Sequence, residues 1–130
     1  MVGILLVTHN GLGNSFADCV GHVLGEAPPM LRVLSVLASD DPQKKLAEGQ
    51  KLIKEMDAGS GVLILADIFG ATPSNIARQL CNAERVMGVA GVNLPMLLRA
   101  VCYPPATLSE LAKVALDGGR ECIVCINPEK

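Results

Sequence analysis

Residues 2–15 read VGILLVTHNGLGNS, an apolar run, Val, Ile and Leu but for Gly3, that stops at Thr8-His9 and gives way to Asn10-Gly11-Leu12-Gly13. A run this short with no polar face is expected as a strand buried on both sides of a parallel sheet. Its end is then the carboxyl edge of a central strand. Loops and helix N-termini open at that edge in α/β sheets, and ligands collect there. His9, one of two histidines in the chain, stands at this point.

Working outward, the same pattern recurs at residues 61–66, GVLILA, which end on Asp67. Further strands are expected at residues 31–38, at the glycine-interrupted 85–92 and at 122–126. Between them lie helical patterns. Residues 15–24 space Phe16, Cys19, Val20, Val23 and Leu24 helically and end at Gly25. In residues 42–56, Asp41 caps and Pro42 takes the first position, with Lys44, Lys45, Glu48, Lys51 and Glu55 facing water. A third helix starts with Thr72 as cap and Pro73 at its first position, and runs to about Cys81. Asn93-Leu94-Pro95 opens a short helix through Cys102, closed by Pro104-Pro105. Thr107 and Glu110 form a capping box heading a helix expected to stop at Gly118-Gly119. Strands alternating with helices predict an open, mostly parallel sheet covered on both faces.

Composition narrows the function. The 130 residues are 50% hydrophobic, which suits a single domain over 1–130 with a sizeable core. Aromatics make up only 2%, so stacking platforms for single-stranded nucleic acid are missing and no nucleic-acid partner is expected. Eleven basic and thirteen acidic residues show no run of like charge. Five cysteines, an odd number, fit reduced thiols and a cytoplasmic setting. No apolar stretch approaches the ~18 residues of a membrane span.

His9 and Asp67 each stand just past the apolar core of a strand, on one edge of the sheet if those strands are neighbours. In contact, the carboxylate would fix the imidazole tautomer and leave the other ring nitrogen free as nucleophile or base. A capping aspartate and a histidine that merely ends a strand account for the same residues equally well. The loop Gly70-Ala71-Thr72-Pro73-Ser74 enters a helix, whose free N–H groups and dipole suit a phosphoryl group. Pro73 lacks an N–H, so Gly70, Ala71, Thr72 and Ser74 would be the donors; an ordinary helix cap is the plainer alternative. Gly11-Leu12-Gly13 has Phe16 where a dinucleotide fingerprint needs glycine. His22 reads as a surface residue, and two histidines without a cluster argue against zinc. Cys122 and Cys125, three apart on an expected strand, read as core packing.

Taken in order, Gly3–His9, the stretch from Gly61 through Asp67 to Asn75, and Val89-Ala-Gly-Val-Asn-Leu-Pro-Met96 resemble the enzyme IIA domain of the mannose (mannose/fructose/sorbose) family of the phosphoenolpyruvate-dependent sugar phosphotransferase system. The resemblance covers nearly the whole chain. It implies that His9 carries a phosphoryl group from the phosphocarrier HPr to a IIB component for sugar uptake and phosphorylation, with a membrane IIC/IID permease as partner through IIB. By the same match Asp67 partners the imidazole, and Thr72 with neighbouring amides holds the phosphoryl group. Family members usually have glycine after the histidine; this chain has Asn10, which tolerates a left-handed backbone better than most residues.

The resulting expectation is a doubly wound α/β domain with strand order 2-1-3-4 plus a C-terminal edge strand, acting as a phosphotransferase without metal or organic cofactor. A homodimer is expected as well, because in the family the last strand can cross to the partner. A regulatory phosphorylation module and a non-covalent nucleotide- or anion-binding module are the alternatives.

Overall fold

The computed structural model describes residues 1–104 and 107–127. Along them run β1 (Gly3–His9), α1 (Leu12–Leu24), β2 (Leu31–Val36), α2 (Pro42–Met56), β3 (Val62–Ala66), α3 (Thr72–Leu80), β4 (Val86–Ala90), α4 (Leu94–Cys102) and α5 (Leu108–Glu121). The four strands form one parallel sheet in the order β2-β1-β3-β4.

The central strands are the two with unbroken apolar runs. In β1 every residue up to Thr8 is buried, and β3 is buried throughout. Alternate side chains go to opposite faces. Ile4, Leu6, Leu63 and Leu65 pack with Val20, Leu97 and Ala115 under α1, α4 and α5. Leu5, Val7, Val62 and Ile64 pack with Ile76, Ala77 and Leu80 of α3, and α2 leans on the same layer through Leu46 and Ile53. Leu63 and Leu65 have no exposed surface, so truncating either to Ala would cost about 2–5 kcal/mol through lost burial and the cavity left.

Several boundaries differ from the sequence expectation. Helix α1 begins at Leu12 rather than Ser15. Asp41 does cap α2, accepting from the Gln43 N–H at 3.0 Å with Pro42 next to it. Lys45, expected in water, is instead drawn in between Asp40 and Glu48. Asn93 caps α4 and Thr107 caps α5 through their side chains. Cys102 ends α4 as expected, while Pro105 lies outside the described residues.

Gly118-Gly119 does not stop α5, which continues to Glu121. Both glycines are buried against α4, where a Cβ on Gly118 would lie 2.8 Å from Arg99 Cδ and one on Gly119 2.7 Å from Met96 Cε. The pair therefore serves close helix approach rather than helix termination, and the Asn93 side chain donates to the Gly119 carbonyl across the same seam.

The C-terminal edge strand is not formed. Residues 123–127 have no regular structure, and Ile123, Val124 and Ile126 are 74%, 70% and 91% exposed. The segment leaves the end of α5 without meeting a strand of its own chain, and an isolated extended segment cannot satisfy its backbone alone. Cys122 and Cys125 are consequently exposed, not core.

At the amino edge of the sheet, Asp57 ties two turns together. Its Oδ1 accepts from the Gly59 and Gly61 N–H groups, and Arg85 grips both carboxylate oxygens at 2.6 Å while also donating to the Gly59 carbonyl. The Arg85 guanidinium, with these two amides, lowers the Asp57 pKa from the ordinary 3.8 to about 2. A depressed carboxyl pKa stabilises the fold above the unfolded value and loses that contribution as pH falls through the folded one. Acid titration of the melting temperature should therefore show a component lost between pH 3.8 and about 2, absent from Arg85→Gln. Equal acid dependence in wild type and variant would refute it.

Candidate functional site

The adjacency of β1 and β3 places the site. Val7 is paired with Ala66, so His9, two residues past Val7, and Asp67, one past Ala66, emerge side by side at the carboxyl edge. One oxygen of Asp67, Oδ2, accepts from the His9 backbone N–H at 2.8 Å and meets the ring Nδ1 at 2.8 Å. The other, Oδ1, accepts from the Ile68 N–H at 2.9 Å. The Asp67 side chain is 8% exposed and that of His9 46%. Burial pushes the Asp67 carboxyl up, but the hydrogen bonds from the His9 N–H, the His9 ring and the Ile68 N–H outweigh it and leave it below the ordinary carboxylate value. An ionised carboxylate only accepts, so Nδ1 carries the proton and Nε2 has the free lone pair. Among the described residues nothing hydrogen-bonds Nε2.

The turn behind His9 is held from two sides. Asn10 has φ 47, in the left-handed region, and its N–H donates to the Val36 carbonyl at 3.0 Å. Thr8 is fully buried, and its Oγ1 accepts from the Gly13 N–H at 2.7 Å. Because the formal cap residue of α1, Gly11, has no side chain, Thr8 performs the capping from the strand end. This pins the first turn of α1 to the residue preceding His9. A Cβ on Gly13 would lie 2.7 Å from Thr8 Oγ1 and 2.8 Å from Val33 Cγ1, so only glycine permits the approach. The Thr8 role escapes the sequence reading; its one signal is a threonine at a strand end with a glycine five residues on.

The Gly70–Ser74 loop differs in detail from expectation. The cap of α3 is Ala71, with extended backbone, Thr72 at the first helical position and Pro73 at the second. The capping side chain comes from inside the helix. Ser74 Oγ accepts from the N–H groups of Gly70 at 2.9 Å and Ala71 at 3.1 Å, and donates to the Ala71 carbonyl. Two of the expected anion donors are thus turned onto Ser74. The Thr72 residue is exposed, and no hydrogen bond within the described chain engages its hydroxyl. Hydrogen bonds join His9 to Asp67 and Ser74 to Gly70 and Ala71, but none joins the loop to His9.

Around the pair, Leu12, Leu37, Ile68 and Phe69 are 43%, 47%, 57% and 76% exposed. Leu37 follows the end of β2, Ile68 and Phe69 lie two and three residues past β3 and Leu12 opens α1, so they form an apolar collar at the edge that carries His9. His22 is exposed further along α1. Among the described residues no three His, Cys, Asp or Glu side chains gather as metal ligands would.

Comparison with known proteins bears on the family and the fold. The EIIA-man family, described as PTS system fructose IIA component, matches residues 3–115. The mannose-specific EIIAB component of the PTS system of Escherichia coli K12 is 25% identical over 123 residues, 92% of this chain. The chain spans 38% of the length of that relative. The fructose-specific EIIA component of Bacillus subtilis 168 is 28% identical over 102 residues, covering 78% of this chain and 69% of its own length. Among solved structures, the mannose/sorbose-specific IIA subunit from Enterococcus faecalis superimposes with a TM-score of 0.88 at 26% identity, over 99% of this chain and 97% of that one.

Removing the acceptor at Thr8 with little change of shape isolates the strand–helix tie. Thr8→Val leaves the Gly13 N–H buried without a partner and should lower unfolding free energy by about 1–3 kcal/mol, read by urea denaturation. Thr8→Ser should retain most of it. A loss in Thr8→Ser with none in Thr8→Val would show that the methyl group, not the hydroxyl, matters.

Proposed function

Because this chain belongs to the EIIA-man family of PTS system fructose IIA components, we propose that it relays a phosphoryl group through His9, taking it from phospho-HPr and passing it to a IIB component. The observation that carries this reading is the 2.8 Å contact between His9 Nδ1 and a buried Asp67 oxygen, which leaves Nε2 of a half-exposed ring as the attacking atom. In the transfer, the Nε2 lone pair bonds to phosphorus while the donor's nitrogen–phosphorus bond breaks and the electron pair stays with the donor ring. Asp67 does not receive the Nδ1 proton. It orients the ring and offsets the charge of the phosphorylated imidazole.

The Thr72 hydroxyl is the group of the Gly70–Ser74 loop available to a phosphoryl oxygen. The amides of Gly70 and Ala71 join it if the Ser74 hydroxyl releases them. The apolar collar of Leu12, Leu37, Ile68 and Phe69 supplies contact area for a protein donor and acceptor, since exposed apolar patches of this kind mark protein interaction sites. We read residues 1–130 as one such domain, working beside a membrane permease. No described helix is long and apolar enough to cross a membrane.

Assembly as a homodimer belongs to the same reading. The outer edge of β4 pairs with no strand of the described chain. Beside it runs an apolar groove lined by Phe69, Ala77, Cys81, Val89 and Ala90. An open edge invites strand addition, and residues 122–126 are an apolar segment without a place in their own chain.

Two experiments test these points. Incubation with phosphoenolpyruvate, enzyme I and HPr should yield one acid-labile phosphohistidine per chain at His9, and Asp67→Asn should slow its formation on the order of 10- to 100-fold with the fold intact, the usual cost of losing a carboxylate that orients a histidine. Label on another residue, or an unchanged rate in Asp67→Asn, would contradict the mechanism. Sedimentation should show a dimer that truncation after Glu121 converts to monomer; a truncated protein that remains a dimer would remove the C-terminal segment from the interface.

A further inference from the structure

Cys122 follows the last residue of α5, and Cys125 lies three residues further along the irregular segment; both are exposed free thiols. The guanidinium of Arg99, on α4, donates from Nη2 to Cys122 Sγ at 3.4 Å while its Nη1 holds Glu121 at 3.0 Å. The contact holds the Cys122 sulfur at the end of α5, and a thiolate is the nucleophile in thiol–disulfide exchange. Three steps of extended chain separate Cα atoms by about 10 Å. A disulfide requires them within about 7 Å, which a turn of irregular backbone reaches and a strand does not.

We propose that Cys122 and Cys125 are a thiol–disulfide modification site whose oxidised form cannot extend as a strand, with the Cys122 sulfur held at the end of α5 by Arg99. The Cys122 thiolate attacks one sulfur of a low-molecular-weight disulfide, forming a mixed disulfide and releasing one small thiol. The Cys125 thiolate then attacks the Cys122 sulfur and displaces the second small thiol. The protein loses two electrons and two protons, and both appear in the two released thiols. Bridging and β-pairing over residues 122–126 are mutually exclusive. The consequence for assembly rests on the dimer reading above; the bridge itself does not.

The test treats the full chain with oxidised glutathione or with dithiothreitol, blocks remaining thiols and digests with trypsin, which frees residues 121–130 as one peptide holding both cysteines. The oxidised peptide should be two hydrogens lighter, with Cys19 and Cys102 still blockable. Cys125→Ser should stop at a mixed disulfide on Cys122, and Arg99→Gln should slow bridging several-fold. Oxidised protein should sediment as monomer and reduced protein as dimer, with Cys102→Ser behaving as wild type. Glutathione on both cysteines without an internal bridge would overturn the site, and an unchanged rate in Arg99→Gln would overturn the positioning of Cys122 by Arg99. A bridged protein that remains dimeric would overturn the exclusion of strand pairing. A reduced monomer would instead refute the dimer reading, with the peptide mass still deciding the bridge.

Discussion

A single carboxylate oxygen, Asp67 Oδ2, receives both the backbone N–H and the ring of His9. The double contact fixes the main chain at the end of β1 and the imidazole tautomer together, so the His9 side chain cannot reorient without disturbing the strand end. Its strength comes from burial: an ionised group at 8% exposure has little water to replace a lost partner, and every lone pair left unsatisfied is costly. The third hydrogen bond, from Ile68, keeps the carboxylate itself from turning.

That contact depends on topology. With β1 and β3 adjacent at the centre of a 2-1-3-4 sheet, the chain reverses its winding between them, and the ends of these two strands are where such sheets take their ligands. The collar of Leu12, Leu37, Ile68 and Phe69 arises from the same cause, since each lies just beyond the point where the sheet stops covering side chains. Thr8 and Gly13 add a second support by joining α1 to β1 one residue before His9. The site is therefore built largely from rigid strand ends, with the α3 loop organised separately around Ser74.

The parts of this arrangement legible in the sequence are those set by strong local patterns. Unbroken apolar runs at β1 and β3 mark buried central strands, and Asp41, Asn93 and Thr107 mark helix starts through side-chain oxygens that accept from first-turn N–H groups. The unreadable parts depend on tertiary partners. Gly118 and Gly119 look like a helix stop, yet Arg99 and Met96 press on them from another helix. Ser74 reads as one more donor at the helix entrance, yet its hydroxyl reaches back to tie down two amides. Residues 122–126 have the composition of a strand, and what they lack is a neighbour in their own chain. Adjacency of His9 and Asp67 was likewise a matter of strand order, which spacing alone does not encode.

The central claim is that Asp67 holds the proton on His9 Nδ1 and leaves Nε2 as the nucleophile. Long-range proton–nitrogen NMR correlation of the unphosphorylated, uniformly nitrogen-labelled protein, at a pH where the ring is neutral, reads the tautomer directly. The account predicts a protonated Nδ1 and an unprotonated Nε2 for His9, with the preference lost in Asp67→Asn. A proton on Nε2 in the wild-type protein would contradict it.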